Sequence, residues 1–245
     1  MGCPSRRGLP VSEIYIDGRY LEDNPHWHSG DSPWKADQIH DLLVACNLQP
    51  ATVYEVGCGA GVILGELATK LPTTQFIGYD ISPQAIELCK NVSNSRVKFV
   101  QGDLLAIQQS PPDLTICADV FEHIPDHLGF LKKLCRTQKL LVFHIPLDRS
   151  LVSFLFPSIL RRTREVVGHL HFFNESTAKS TLEECGFQII EDRITAGCLE
   201  FPESGMKGIT FWLMRKIAFS INPRVAARLL GGFSLLVLAK PGTTQ

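Results

Sequence analysis

Residues Thr52-Val-Tyr-Glu-Val-Gly-Cys-Gly-Ala-Gly61 join a short β-branched run to three closely spaced glycines. An apolar segment with helix-like spacing, residues 62–71, follows directly. Glycines at such a turn let the backbone bend sharply, and they allow a ligand to lie against main-chain N–H groups at the start of a helix. The stretch therefore predicts a strand, a ligand-binding turn and a helix in direct succession.

Strand-like and helix-like segments continue to alternate along the chain. Further strands are predicted at residues 75–80, 97–103, 113–119, 139–146, 187–194 and 233–240. Further helices are predicted at residues 35–46, 84–92, 126–135 and from Asn174 or Ser176 to Cys185. Alternation at this pitch is typical of a parallel sheet with helices on both faces. The sequence therefore predicts a doubly wound α/β fold.

The chain is divided into an N-terminal part and a main domain. Residues 1–50 are interpreted as a cap or lid with the first helix, and residues 51–245 as the main domain, in which two segments interrupt the alternation. Insertions are expected at about residues 147–173, rich in Phe, Leu and Arg, and 197–232, which contains the apolar stretch 208–220. Such segments can form an apolar wall for a substrate or touch lipid. Covering the sheet or forming a dimer contact are the alternative roles.

Composition excludes several classes of protein. The formal net charge of -1 gives no basic field for nucleic acid, so no nucleic-acid partner is predicted. The eight cysteines show neither C-x-x-C nor zinc-site spacing, which predicts a reducing compartment and no metal. The N-terminus is too polar for a signal peptide, and the longest apolar run, residues 151–160, is too short to span a membrane. We therefore expect a cytoplasmic protein without a transmembrane segment.

The glycine spacing separates two classes of cofactor. A dinucleotide-binding turn reads G-x-G-x-x-G, but Val62 stands where its third glycine would be. The sequence G-x-G-x-G instead resembles the first motif of class I S-adenosylmethionine-dependent methyltransferases, and the similarity extends over about residues 52–194. The resemblance implies S-adenosylmethionine as cofactor. It also implies a Rossmann-like, mostly parallel seven-stranded sheet with an antiparallel last strand.

The same resemblance assigns cofactor contacts around the glycine turn. Glu55 matches an acidic position that is usually linked to the amino group of the cofactor. Gly57, Gly59 and Gly61 match the glycines of the motif, and Cys58 between them is interpreted as a packing residue. These five residues are the predicted cofactor contacts of the first motif.

Acids follow the next two strands. Asp80, with Ile81 beside it, ends the second strand, where a carboxylate can accept hydrogen bonds from the ribose hydroxyls. Asp103 matches the acid that meets the adenine amino group in the resembled family, with the backbone of Leu104 beside the ring. An aspartate that caps a loop is the alternative for Asp103.

The stretch Asp119-Val-Phe-Glu-His-Ile124 resembles small-molecule methyltransferases of the ubiquinone-biosynthesis type. Asp119 and Val120 match positions of that family where the methyl donor faces the acceptor, so the resemblance implies that both residues contact the cofactor. The resemblance implies a small-molecule acceptor, and an apolar, glycan-linked or lipid-linked molecule is among the candidates. The acceptor atom, O, N or C, and the oligomeric state are left open by the sequence.

Histidines near the expected catalytic edge are the candidate bases. Methyl transfer from a sulfonium needs mainly alignment, and a base is required only where the acceptor must lose a proton. His123, His144 and His171 are the predicted catalytic residues, with His169 close to the last of them. Packing against the adenosine or capping a helix is the alternative for His123, and a structural loop role for the others.

The polar and aromatic segment 25–35 predicts a lid over the cofactor, in which Trp27 or Trp34 could offer a ring face to the sulfonium. Packing of these tryptophans in the core is the alternative. Two other functions also remain open at this point. One is a nicotinamide-dependent oxidoreductase on a similar sheet, and the other is a non-catalytic cofactor-binding subunit.

Overall fold

The computed structural model describes residues 29–107, 110–200 and 206–242, so Trp27 lies outside the described residues. The strands are β1 (Thr52–Val56), β2 (Gln75–Asp80), β3 (Val97–Gln101), β4 (Leu114–Ala118), β5 (Leu141–Pro146), β6 (Phe187–Thr195) and β7 (Ser234–Pro241). The α-helices are α1 (Ser32–Ala45), α2 (Val62–Lys70), α3 (Pro83–Cys89), α4 (His127–Thr137), α5 (Leu151–Leu155), α6 (Ser158–Arg162), α7 (Glu175–Glu184), α8 (Gly197–Glu200), α9 (Met206–Ile221) and α10 (Pro223–Leu230).

The strands form one sheet in the order β3-β2-β1-β4-β5-β7-β6. Strands β3, β2, β1, β4 and β5 pair in parallel, whereas β7 is antiparallel to both β5 and β6. This confirms the predicted mostly parallel, seven-stranded sheet with an antiparallel last strand. The order of the strands reverses between β1 and β4, and ligands of such sheets bind at the carboxyl edge beside that point.

Alternate side chains of the strands belong to two separate hydrophobic clusters. In β7, Leu235 and Val237 lie in the cluster that includes α4, α7 and α10, whereas Leu236 and Leu238 lie in the cluster that includes α1 and α2. Successive side chains of a strand point to opposite faces of the sheet. Helices therefore cover both faces, as the doubly wound prediction requires.

Helix ends follow local capping chemistry. The Ser82 hydroxyl accepts a hydrogen bond from the backbone N–H of Ala85 and begins α3, with Pro83 at its first position. The amide oxygen of Asn174 accepts from the backbone N–H of Thr177, so Asn174 and not Ser176 caps α7. Helix α1 begins at Ser32, three residues before the predicted start at residue 35. Pro33 does not prevent this, because proline is tolerated in the first turn of a helix.

Two strands end earlier than the sequence predicted. Strands β3 and β4 end at Gln101 and Ala118, so Asp103 and Asp119 lie in the loops just beyond them. The predicted helix 84–92 also ends early, at Cys89. The strand corrections place both acids at the carboxyl edge of the sheet.

The two predicted insertions are helical. The first contains α5, α6 and a π-helical turn, Thr163–Val167, and the second contains α8, α9 and α10. Phe154, Leu155 and Phe156 of the first insertion are largely exposed, as are Ile209 and Ile217 of the second. Within the described residues, none of the helices combines the length and apolar character that a membrane crossing needs.

Candidate functional site

A cavity of about 650 Å³ lies at the carboxyl edge of the parallel strands. Residues from the loops that follow β1 to β5 line it, together with the first turn of α1 and residues next to α8 and β7. Most of the predicted site residues are in its wall: Glu55, Gly57, Cys58, Gly59, Asp80, Ile81, Asp103, Leu104, Asp119, Val120, His123 and His144. Gly61 and His171 are not.

The glycine turn depends on left-handed backbone geometry. Gly57, Gly59 and Gly61 have φ values of 68°, 53° and 76°, which side-chain-bearing residues rarely adopt. A Cβ on Gly57 would lie 2.8 Å from the Cγ2 atom of Val120, and one on Gly61 would overlap the ring of Phe99. Gly61 therefore serves the close packing of the turn, whereas Gly57 and Gly59 also face the cavity.

Asp80 braces the turn from the end of β2. Its Oδ2 atom accepts from the backbone N–H of Gly59 at 2.9 Å, and its Oδ1 atom accepts from that of Ser82 at 2.8 Å. Burial raises the pKa of Asp80, while these two hydrogen bonds oppose the shift. The carboxylate thus joins the loops after β1 and β2, at the position where the sequence predicts a ribose contact.

Glu55 is a buried carboxylate next to the turn. Its side chain is 1% exposed, and its Oε2 atom has no hydrogen-bond partner among the described residues. Burial, with smaller contributions from Cys89 and Asp80, raises the pKa of Glu55 well above its usual value. An unpaired acid of this kind is costly in the ligand-free protein and favours a cationic ligand.

A chain of interacting polar and charged groups lies in the cavity wall near β4 and α1. The Nζ atom of Lys35 lies 2.6 Å from Oδ2 of Asp119 and 2.9 Å from Oδ2 of Asp31. His144 hydrogen-bonds through Nδ1 to Oδ1 of Asp119 at 2.7 Å and through Nε2 to the hydroxyl of Thr195 at 3.2 Å. Both ring nitrogens of His144, predicted as a base, are therefore occupied within the protein.

This arrangement fixes the charge of Asp119. Burial by itself raises the pKa of Asp119, but the Lys35 ammonium and the His144 imidazole outweigh it and hold the pKa below its usual value. Burial likewise lowers the pKa of Lys35, yet Asp119 and Asp31 together raise it above the usual value. Asp119 also has a φ of 53°, an uncommon backbone geometry for a residue with a side chain. The ion pair therefore holds a strained loop in place.

Sequence reasoning missed Lys35 and Asp31 as site residues. Lys35 lies early in α1, where a positive charge is unfavourable to the helix dipole. That misplaced charge is the signal that could have identified it. Trp34, on the same turn, lines the cavity with its ring edge-on to His144 at a centroid distance of 6.1 Å.

Asp103 both lines the cavity and caps a loop. Its Oδ1 atom accepts from the backbone N–H of Leu105 at 2.8 Å and begins the 3₁₀ turn Leu104–Ala106. The capping alternative for Asp103 is thus correct. It does not exclude a ligand contact through the other carboxylate oxygen.

Two histidines of the cavity wall lie beside the buried side chain of Glu122. His123 and His169 line the cavity, with their rings edge-to-face at 4.9 Å. Nδ1 of His123 lies 3.2 Å from the carbonyl oxygen of Gly168, and Nδ1 of His169 lies 2.7 Å from Oδ2 of Asp148. Burial, followed by the nearby Asp119 charge, raises the pKa of Glu122 well above its usual value.

His171 lies outside this wall. Its Nε2 atom is 3.0 Å from the carbonyl oxygen of Ile124, and its ring lies 3.9 Å from that of His127. Of the pair His169 and His171, the structure therefore brings His169 to the cavity, and the placement predicted for His171 is corrected. The sequence alone could not separate the two because both precede the same helix.

Comparison with known proteins identifies the family. Residues 27–192, more than half of the chain, match the profile of the family described as "Methyltransferase domain". The chain therefore belongs to this methyltransferase family. This confirms the predicted class of S-adenosylmethionine-dependent methyltransferases and S-adenosylmethionine as the cofactor. The alternative of a nicotinamide-dependent oxidoreductase is therefore rejected.

Individual relatives are more distant. The ubiquinone biosynthesis O-methyltransferase of Nitrosomonas europaea is 26% identical over 149 residues, covering 55% of this chain and 63% of that protein, so the chain spans less than two thirds of its length. The protein in complex with the Haloferax volcanii Trm112 methyltransferase activator has a TM-score of 0.66 at 14% identity, covering 96% of this chain and 99% of that chain. The N-methyltransferase NodS from Bradyrhizobium japonicum, in complex with S-adenosyl-L-homocysteine, has a TM-score of 0.58 at 18% identity, covering 94% and 98%. The two solved structures share the fold of this chain.

Proposed function

We propose that this chain transfers the methyl group of S-adenosylmethionine to a small molecule bound near His123 and His169. The observation that carries this proposal is the continuity of the cavity, which joins the glycine turn and Asp80 to the two histidines. Its volume of about 650 Å³ is in the range of small-molecule sites, about 300–1,000 Å³. The net charge of -1 also favours a small acceptor over nucleic acid.

In this proposal the cofactor occupies the half of the cavity next to β1, β2 and β3. Asp80 and Ile81 contact the ribose, and Asp103 and Leu104 contact the adenine. Glu55 receives the ammonium of the methionine part, which gives its unpaired carboxylate oxygen a partner. Gly57 and Gly59 of the glycine turn, which line the cavity, complete this half.

The acceptor occupies the other half, with His123 as the residue that contacts it. His144 is proposed as a positioning residue and not a base, because both its ring nitrogens are hydrogen-bonded to Asp119 and Thr195. Through Asp119 it would orient the loop that separates donor from acceptor. Alignment of the acceptor with the methyl–sulfur bond then supplies much of the rate enhancement.

The nature of the acceptor remains a proposal. The exposed apolar side chains of the two insertions support an apolar, glycan-linked or lipid-linked molecule as the first class to test. The names of the relatives include both an O- and an N-methyltransferase and so do not choose the acceptor atom. We also propose a reducing, cytoplasmic location, which is supported by the seven described cysteines, all free thiols.

The test is a transfer assay with labelled S-adenosylmethionine and a panel of sugars, quinone precursors and lipids. We expect one class to be methylated, and His123→Ala to lower kcat by about 100-fold while the affinity for S-adenosylhomocysteine is kept. His127→Ala, on α4 outside the cavity wall, is the matched control and should keep full turnover. Wild-type protein that fails to bind S-adenosylhomocysteine in calorimetry, or equal turnover in both variants, would contradict the proposal.

A further inference from the structure

His169 and Asp148 form a largely buried pair at the cavity. Nδ1 of His169 lies 2.7 Å from Oδ2 of Asp148, and the two side chains are only 8% and 16% exposed. His169 lines the cavity itself, and the Asp148 carboxylate lies against its ring. A histidine that faces a ligand cavity while a third group orients its ring is the usual arrangement of an enzymatic base.

Both residues of this pair are held in place by the backbone of the residue that follows them. The N–H group of Arg149 donates to the carbonyl oxygen of Phe173 at 2.9 Å, and that of Leu170 donates to the carbonyl oxygen of Glu122 at 2.8 Å. The loop after β5, the segment before α7 and the turn after β4 are thereby tied together. The pair is therefore positioned by the fold, as a site that must orient a ligand requires.

The contact with Asp148 decides which ring nitrogen of His169 can take up a proton. An ionised carboxylate only accepts hydrogen bonds, so the proton between the two groups belongs to Nδ1. Nε2 then carries a lone pair, and it has no hydrogen-bond partner among the described residues. In His144, by contrast, both ring nitrogens are hydrogen-bonded. His169 thus keeps a nitrogen that can receive a proton from a molecule in the cavity.

We propose that His169, oriented by Asp148, is the general base for the acceptor, and that the acceptor is methylated on a hydroxyl group. This inference rests on the proposed function. A neutral amine attacks a methyl group through its own lone pair, whereas a hydroxyl group becomes a strong nucleophile only as it loses its proton. An oriented base in the wall therefore favours a hydroxyl acceptor.

The proposed step conserves protons and electron pairs. Nε2 of His169 takes the proton of the hydroxyl group, the oxygen bonds to the methyl carbon, and the carbon–sulfur bond breaks with its electron pair left on sulfur. The Asp148 carboxylate stabilises the imidazolium that forms. The imidazolium then returns its proton to solvent. The products are a methyl ether and neutral S-adenosylhomocysteine.

The other titratable groups beside His169 come from the turn after β4. Glu122 and His123 each have a side-chain atom within 4.8 Å of one of His169, and the two imidazole rings lie edge-to-face. Burial raises the pKa of Glu122 well above its usual value, which favours the neutral carboxyl group. Asp148 is therefore the carboxylate that supplies negative charge to the imidazolium.

The orientation of His169 can be tested without turnover. Long-range proton–nitrogen NMR of full-length protein with isotope-labelled histidine reports the tautomer of each ring, and His169→Asn identifies the signals of His169. We expect the Nδ1–H tautomer in the wild type. Asp148→Asn should increase the Nε2–H tautomer, because the asparagine amide can donate to Nδ1. An Nε2–H tautomer in the wild type would overturn the inference.

The role of His169 in catalysis is tested with acceptors of different acidity. Substituted phenols would be assayed with labelled S-adenosylmethionine, with hydroxyl pKa values from well above to well below a neutral assay pH. A base accelerates only the acceptors that are still protonated, so His169→Asn should lower kcat/KM by about 100-fold or more for the least acidic phenols and far less for the ionised ones. An equal loss across the series would overturn the inference.

His127→Asn provides the matched control, since His127 belongs to the neighbouring histidine pair outside the cavity wall. It should keep the kcat/KM of the wild type across the series. Retained binding of S-adenosylhomocysteine shows that the variants are folded, and its absence in the wild type would contradict the proposed function instead. Wild-type protein that methylates amines or carbon atoms but no hydroxyl compound would overturn the inference and leave the proposed function intact.

Discussion

The wall of the cavity around the glycine turn and the wall around His123 are held by different kinds of contact. At the turn, backbone geometry dominates: Gly57 and Gly59 have positive φ, and Asp80 accepts two backbone N–H groups. At the other wall, segments further apart in the chain meet: Nδ1 of His123 contacts the carbonyl oxygen of Gly168, 45 residues away, whereas Asp80 and Gly59 are 21 residues apart. The first wall is therefore built by two consecutive strands and their turns, whereas the second depends on how more distant segments fold back on each other.

The largest effect is expected at the locally encoded wall. Asp80→Ala leaves the buried N–H groups of Gly59 and Ser82 without acceptors, at a cost of about 1–3 kcal/mol each, and removes the proposed ribose contact. We expect no measurable binding of S-adenosylhomocysteine by calorimetry.

Asp113→Ala is the matched control, because the Asp113 carboxylate also accepts two backbone N–H groups, those of Ala51 and Thr52, at the amino end of β1. It should keep its affinity for the cofactor. Equal affinities of the wild type and Asp80→Ala would contradict the assignment of Asp80 to the cofactor.

Lys35→Met tests the contacts between distant segments. It leaves Asp119 and Asp31 facing each other without a cation, and breaking a buried ion pair costs about 3 kcal/mol or more, less here because the Asp119 side chain is 25% exposed. We expect the free energy of unfolding in urea to fall by about 2 kcal/mol at pH 7. Unchanged stability would show that the pair does not brace the loop.

The same pair predicts a dependence of stability on pH. Because the pKa of Asp119 is lowered in the folded protein, its stabilising contribution is complete above the unfolded pKa of about 4 and is lost as the pH falls below that value. Wild-type protein should therefore lose its stability advantage over Lys35→Met between about pH 4 and pH 2. Urea unfolding across this pH range measures the difference in the free energy of unfolding between the two proteins. A difference that stays constant with pH would argue against the role of the Asp119 charge.

The smallest effect is expected for Glu55→Gln, and its sign differs between stability and binding. Burial raises the pKa of Glu55, so an ionised carboxylate destabilises the ligand-free protein at neutral pH. The amide removes that charge, and we expect an unfolding temperature a few degrees higher with weaker binding of S-adenosylhomocysteine. Thermal unfolding with and without the ligand separates the two effects, and tighter binding would refute the proposed ammonium contact.

The same contrast explains how far the sequence could predict the structure. The alternation of strands and helices and the cap at Ser82 can be read from neighbouring residues, and the structure contains both. The acids Asp80 and Asp103 were predicted from their positions after strands, and both line the cavity. The position of Lys35 early in a helix is a local signal, but its pairing with Asp119 could not be predicted because Asp119 lies on a distant loop. His169 and His171 were indistinguishable for the same reason, since only the fold of the segment decides which ring faces the cavity.

The position of β7 has a consequence for how the protein is made. This strand is inserted between β5 and β6, and among the described strands β6 pairs with β7 alone. During synthesis the ribosome produces β5 and β6 well before the strand that must join them. Such non-local pairing slows folding and leaves apolar strand surface open to water for longer. We therefore expect β6 to stay unprotected in the nascent chain until Leu235 and its neighbours have left the ribosome tunnel.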